Sequence, residues 1–188
     1  MDNKLNPKIL FIPGWLDTGA RNGFQNSLDV WSKDININQD FKVDYVIAHS
    51  GGSLVALYNW QKYHNFKIIL VNPAIQRKNG FWHWAEFMIY EGIPREFRQS
   101  IKIRQIIPAI LKMTKLLKIP VFDIIDSIPR ENMLVFYGER DKYLCRRELI
   151  KIFQEKGFKV TEVKGAGHNY DPIINKKVFE AIKLNQNL

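Results

Sequence analysis

Three short stretches of the chain carry residues able to do nucleophilic chemistry. In Ala48-His49-Ser50-Gly51-Gly52 a serine stands among small residues where an apolar run gives way to a helical pattern. A sharp turn of that kind projects the serine hydroxyl above a sheet edge. It needs small residues two places away on each side, because strand and helix backbones approach closely there; Ala48 and Gly52 supply them. Gly138-Glu139-Arg140-Asp141 sets a carboxylate, and Gly165-Ala166-Gly167-His168 an imidazole, just after two further apolar runs. A hydroxyl alone is a poor nucleophile, but an imidazole that takes its proton and a carboxylate that orients the imidazole activate it for acyl transfer. Ser50, Asp141 and His168 follow the order Ser, Asp, His, each just beyond an expected strand, so that all three can converge on one sheet edge.

Other residues of the same types are weaker candidates. Asp123, Asp126 and Asp171 do not follow a strand; Asp126 is the closest rival to Asp141. His49 reads as the variable residue of the turn, with its side chain directed away from that of Ser50, while His64 and His83 read as helix-end and cap residues. Cys145, the single cysteine, has no evident base beside it and reads as an ordinary thiol. There is no paired cysteine, no His-x-x-x-His and no phosphate-binding glycine loop in the sequence, so no metal or cofactor is expected.

These loops require a scaffold of alternating strands and helices. The apolar run Ile9 to Ile12 ends at Pro13-Gly14 and reads as a strand. Phe24, Leu28 and Trp31 recur at helical spacing and predict a helix from Ala20 to Lys33. Strand Val43 to Ala48, helix Leu54 to Tyr63 and strand Lys67 to Val71 follow. After an interruption come strand Met133 to Tyr137, helix Leu144 to Lys156, strand Lys159 to Val163 and a last helix from Ile173 to about Leu184. Strands alternating with helices imply a parallel sheet covered by helices, with sites held beyond the carboxyl ends of its strands. Residues 77–128 break the rhythm with helical stretches around Phe81 to Tyr90 and Arg104 to Leu117, and read as a helical insertion.

On the Ala48 to Gly52, Gly138 to Asp141 and Gly165 to His168 motifs, the chain resembles a small serine hydrolase of the α/β-hydrolase superfamily along nearly its whole length. The resemblance implies a three-layer α/β fold with a mostly parallel sheet of about five or six strands and residues 77–128 as a lid. Gly14 to Ser50 is short for the elements usual there, so the sheet is expected to be reduced on its N-terminal side, with Ile35 to Ile37 as at most a small edge strand. Pro13-Gly14-Trp15 corresponds to the family's oxyanion loop, with Pro13 in place of the usual histidine. The expected oxyanion donors are the backbone N–H of Gly51 and that of Trp15 or Leu16.

Composition sets the wider limits. A chain of 188 residues, 46% hydrophobic and 25% charged, is expected to form one globular domain with no internal disulfide. The first apolar run is too short for a signal peptide or a membrane span, and a cytoplasmic location is expected. Between Gln76 and Lys118 nine Lys and Arg face three Glu, a net of +6 out of the chain's +9. That stretch also holds Trp82, Trp84 and Phe87, enough with its neighbours to roof a pocket for an apolar acyl chain. Its Arg95, Arg98 and Arg104 could meet an acidic carrier of the acyl group such as acyl carrier protein, with an anionic membrane surface as the rival. Basic residues interleaved with core-like positions, and no groove-reading motif, argue against nucleic acid. A catalytically silent binding protein of the same fold is the remaining alternative.

Overall fold

The computed structural model of the protein describes residues 7–15, 17–31, 35–75, 103–141 and 144–186, with residues 103–106 described by their backbone alone. Five strands, β1 (Ile9–Ile12), β2 (Tyr45–His49), β3 (Lys67–Val71), β4 (Met133–Gly138) and β5 (Lys159–Val163), form one sheet in the order β1-β2-β3-β4-β5. Every neighbouring pair is parallel. β2 is buried along its whole length, as expected of an inner strand covered on both faces.

Strands added always in one direction through right-handed crossovers place all their connecting helices on the same face. The helices that link β2 to β5 obey this: α1 (Gly52–Tyr63), α2 (Ile103–Leu116), α3 (Val121–Ser127) and α4 (Arg147–Glu155) share a core with Ile12, Val46, Leu70 and Val135. The opposite face of the sheet, with Phe11, Ile47, Val71 and Phe136, is covered by α5 (Pro172–Asn185) through Ile174, Val178 and Ile182. The result is the parallel sheet covered by helices that the alternation implies and the three-layer α/β arrangement that the resemblance implies, with five strands among the described residues.

The connection from β1 to β2 departs from the expected helix. Among its described residues a single 3-10 turn, Ala20–Asn22, forms, and it ends at Gly23 in the left-handed region with φ 78°. The chain then runs beside β1: Phe11 N–H donates to Asn26 O (3.1 Å) and Leu28 N–H to Phe11 O (2.8 Å). This covers the sheet edge that β1 would otherwise expose. The helical spacing of Phe24, Leu28 and Trp31 therefore had another cause. Phe24 stacks on Phe11 on one face of the sheet, with ring centroids 4.1 Å apart, whereas Leu28 and Trp31 join the core on the other. Residues 35–37 form no strand; Ile37 is simply buried in the core.

Smaller differences concern boundaries. α4 starts at Arg147 rather than Leu144, so that Cys145 lies in the bend before it. Of the two helical stretches expected in the insertion, the second is α2, while Phe81 to Tyr90 lie outside the described residues. Among the described residues, no helix is long and apolar enough to cross a membrane.

Candidate active site

Ser50 sits at the β2–α1 junction with φ 50°, in the left-handed region that a non-glycine residue occupies only at a cost. The turn is sharp enough to bring the start of α1 against the end of β1. A Cβ on Gly52 would lie 2.5 Å from Ile12 O and 2.6 Å from Pro13 O, so only glycine fits there. Gly14 is close behind the serine as well; a Cβ on it would come within 3.1 Å of Ser50 Cβ. Ser50 N–H donates to Val71 O (2.9 Å), and Ala74 N–H to Ser50 O (3.3 Å), so the loop after β3 steadies the turn.

The acid and imidazole loops are joined to each other by their main chains. Glu139 N–H donates to Val163 O (3.1 Å) and Arg140 N–H to Ala166 O (2.9 Å). Gly165, at φ 76°, donates its N–H to Glu139 Oε2 (2.9 Å). A Cβ on Gly138 would lie 2.3 Å from Gly167 O, so the two backbones touch where a side chain has no room.

This contact brings the predicted residues together. His168 Nε2 is 2.9 Å from Ser50 Oγ and His168 Nδ1 is 2.5 Å from Asp141 Oδ2. A carboxylate can only accept, so Nδ1 carries the proton and Nε2 is left to accept from the serine hydroxyl. All three residues are buried, Ser50 to 7% exposure. Burial by itself would push the Asp141 carboxyl up, but the charge and hydrogen bond of His168, with the N–H groups of Cys145 and Leu144, outweigh it and hold the carboxyl below its ordinary range.

The rival carboxylates are engaged elsewhere. Asp126 is exposed on α3 and pairs with Lys156. Asp171 caps α5, accepting from Ile174 N–H (2.9 Å). Asp123 is exposed on the first turn of α3. Burial, followed by the nearby Asp141 charge, raises the Cys145 thiol well above its usual value and keeps it protonated. His64 is the left-handed C-cap of α1, as its helix-end reading implies.

The loop after β1 passes over the turn at Ser50. Asp17 N–H donates to Gly14 O (3.0 Å), and the Trp31 indole N–H to Pro13 O (3.1 Å). A Cβ on Gly51 would lie 2.8 Å from Met113 Cε, 3.5 Å from the Trp31 ring and 3.6 Å from Trp15 Cβ. Trp15, Trp31 and Met113 of α2 therefore wall the approach to Gly51 with apolar surface. Lys112 anchors α2 there by donating to Val30 O (2.8 Å) and Ile35 O (2.6 Å). Leu16, Trp82, Trp84, Phe87, Arg95 and Arg98 lie outside the described residues, and Arg104 is described by its α2 backbone alone.

Two residues with a part in this site escaped the sequence reading. His49 does not point idly away: its ring is buried, and its Nε2 lies 2.7 Å from His168 O. Asn72, at the end of β3, is also fully buried and donates to the same carbonyl (2.7 Å). An Asn-Pro pair after a strand reads as a loop signal, and nothing local to it marks a contact with a loop so far along the chain. A hollow of about 880 Å³, lined by Lys8, Lys42, Asp44, His64 and Lys67, is at the other end of the strands from Ser50.

No family model and no curated relative matches the sequence. Solved structures do match its fold. An esterase from Exiguobacterium antarcticum is 14% identical with a TM-score of 0.64, over 96% of this chain and 91% of that one. A bromoperoxidase from Bacillus anthracis has the same identity and coverage, with a TM-score of 0.61. An α/β hydrolase enzyme from a Medee basin deep-sea metagenome library, also 14% identical, matches over 100% of this chain and 92% of that chain, with a TM-score of 0.59. With its parallel sheet, its serine at a strand-to-helix turn and this likeness over its full length, the chain has the α/β-hydrolase fold, in a form with five strands among its described residues.

Proposed function

We propose that the protein is a serine hydrolase that cleaves a carboxylic ester or thioester of an apolar acyl group, with Ser50 as nucleophile, His168 as base and Asp141 as orienting acid. The observation that carries the reading is the unbroken line from Ser50 Oγ through both ring nitrogens of His168 to Asp141. In the reaction, Ser50 Oγ attacks the acyl carbonyl while its proton passes to His168 Nε2. The imidazolium so formed is stabilised by Asp141, then protonates the leaving alkoxide or thiolate. Water, deprotonated by the same nitrogen, hydrolyses the acyl-enzyme and returns the proton to Ser50.

The oxyanion of each tetrahedral intermediate is assigned to the backbone N–H of Gly51, at the positive end of α1, with that of Trp15 or Leu16. The walls formed by Trp15, Trp31 and Met113 favour an apolar acyl group over a charged one. A fold shared with a bromoperoxidase does not by itself choose a reaction, so the proposal rests on the site.

A series of p-nitrophenyl esters of increasing acyl length tests it. The expected result is turnover by the wild type that varies with chain length and is lost in Ser50→Ala; equal turnover by both proteins would refute it. A carrier-linked acyl ester is the second reading, favoured by the +6 between Gln76 and Lys118. Turnover of such a substrate should fall with ionic strength while that of a small neutral ester holds steady.

A further inference from the structure

The carbonyl of His168 is gripped from two sides. His49 Nε2 lies 2.7 Å from it, and because a carbonyl can only accept, Nε2 carries the proton and donates. Asn72 Nδ2 donates to the same oxygen at 2.7 Å and to Gly167 O at 2.9 Å. The other end of the Asn72 amide, Oδ1, accepts from Gly138 N–H at 2.7 Å, and its own backbone N–H donates to Phe136 O at 2.9 Å. One side chain thus ties the end of β3 to the end of β4 and to the imidazole loop.

The residue type at position 72 follows from these demands. Its φ of 46° lies in the left-handed region, where Gly, Asn and Asp are tolerated best. Glycine has no amide to offer. Aspartate could accept from Gly138 but, as a carboxylate, could not donate to the two carbonyls. Asparagine meets all three requirements, in a place fully shielded from water, where an unmatched polar group would be costly.

The geometry points to Asn72 and His49 as positioning residues that hold the His168 backbone, and through it the imidazole, in line between Ser50 and Asp141. Neither touches the reacting atoms. Their role in turnover rests on the hydrolase reading above, whereas their hold on the His168–Asp141 pair does not depend on it.

The test uses the intact protein and two readouts, steady-state ester hydrolysis and the low-field proton resonance of His168 Nδ1–H, assigned among the four histidines by its loss in Asp141→Asn. Asn72→Asp keeps the left-handed conformation and the acceptor for Gly138 while removing both donors. It is expected to lower kcat about a hundredfold with KM within about twofold, since a small misplacement of a catalytic group has that cost, and to erase the low-field resonance. Unchanged kcat, or a fallen kcat with the resonance intact, would overturn the inference.

Should circular dichroism show Asn72→Asp unfolded, His49→Phe removes one donor from the same carbonyl at similar volume. That variant should lose about tenfold in kcat and shift the resonance, and His49→Gln, which restores an amide donor, should recover most of both. Wild-type behaviour in His49→Phe would then overturn the inference. A wild type that hydrolyses no ester, with the resonance still erased by Asn72→Asp, would refute the hydrolase reading and leave the positioning role standing.

Discussion

The two sides of Ser50 are built by different means. Toward β4 and β5, the acid and imidazole loops are fastened by main-chain hydrogen bonds and by glycines that let backbones touch, with the side chains of Asn72, Glu139 and Arg140 adding bonds between them. Toward β1, the loop adds a set of side-chain bonds to its main-chain ones: Trp31 on Pro13, Asp29 on Gly19 N–H (2.9 Å), and Asp17 accepting from Asn22 Nδ2 (2.9 Å). Main-chain contacts leave little freedom, which suits a proton relay whose alignment must hold. Side-chain contacts can give way one at a time, which suits a wall that admits substrate. The first side should therefore fail abruptly on substitution and the second by degrees.

The largest effect is expected from Asp141→Asn, which would hold His168 in the wrong tautomer and lower kcat by about 10³ to 10⁴ with little change in KM. Asp126→Asn, on the far ion pair with Lys156, should leave kcat at the wild-type level in the same assay. The reverse ranking would move the acid to α3.

Next comes the glycine contact. Gly138→Ala drives a methyl to 2.3 Å from Gly167 O and should cost about 3 kcal/mol in urea unfolding, at the upper end of overpacking effects. Gly167→Ala is the matched control, since a Cβ there would meet nothing within 4 Å, and it should stay within about 1 kcal/mol of the wild type. Similar losses in both would mean that the two loops are not in rigid contact.

Buried His49 gives a smaller, graded effect. Burial, and then the charge of neighbouring His168, lower it from the ordinary 6.5 to about 4. Between those values the unfolded chain binds a proton that the folded protein refuses, so stability should fall as pH drops from about 6.5 and the loss should level off near 4. Urea midpoints measured across that range should drop less in His49→Gln than in the wild type. Equal slopes would place the acid sensitivity elsewhere.

The smallest effect is expected on the β1 side. Trp31→Phe loses the bond to Pro13 O together with the five-membered part of a buried indole, for a cost of about 2 kcal/mol and a modest drop in kcat. An effect as large as that of Gly138→Ala would erase the distinction between the two sides.

The same difference explains what could be read in the sequence. The five strands, the helices α1, α2, α4 and α5 and the loop positions of Ser50, Asp141 and His168 are legible because each is written locally, in an apolar run or a helical period followed by small or breaking residues, whereas α3 was not expected. The β1 side is not legible. Phe24, Leu28 and Trp31 have helical spacing, yet they serve two faces of the sheet, and the chain between them pairs with β1 instead of coiling. His49 and Asn72 went unread for a related reason. Their partner, the His168 carbonyl, is remote in sequence, and a buried amide or imidazole donating to a main-chain oxygen leaves no pattern around itself.

The central claim is that Ser50 is an activated nucleophile. Reaction of the purified protein with a fluorophosphonate probe, followed by mass spectrometry of the labelled peptide, tests it without knowledge of the substrate. Labelling is predicted at Ser50, abolished in Ser50→Ala and strongly slowed in His168→Ala. A wild type that stays unlabelled, or labelling that persists in Ser50→Ala, would contradict the account.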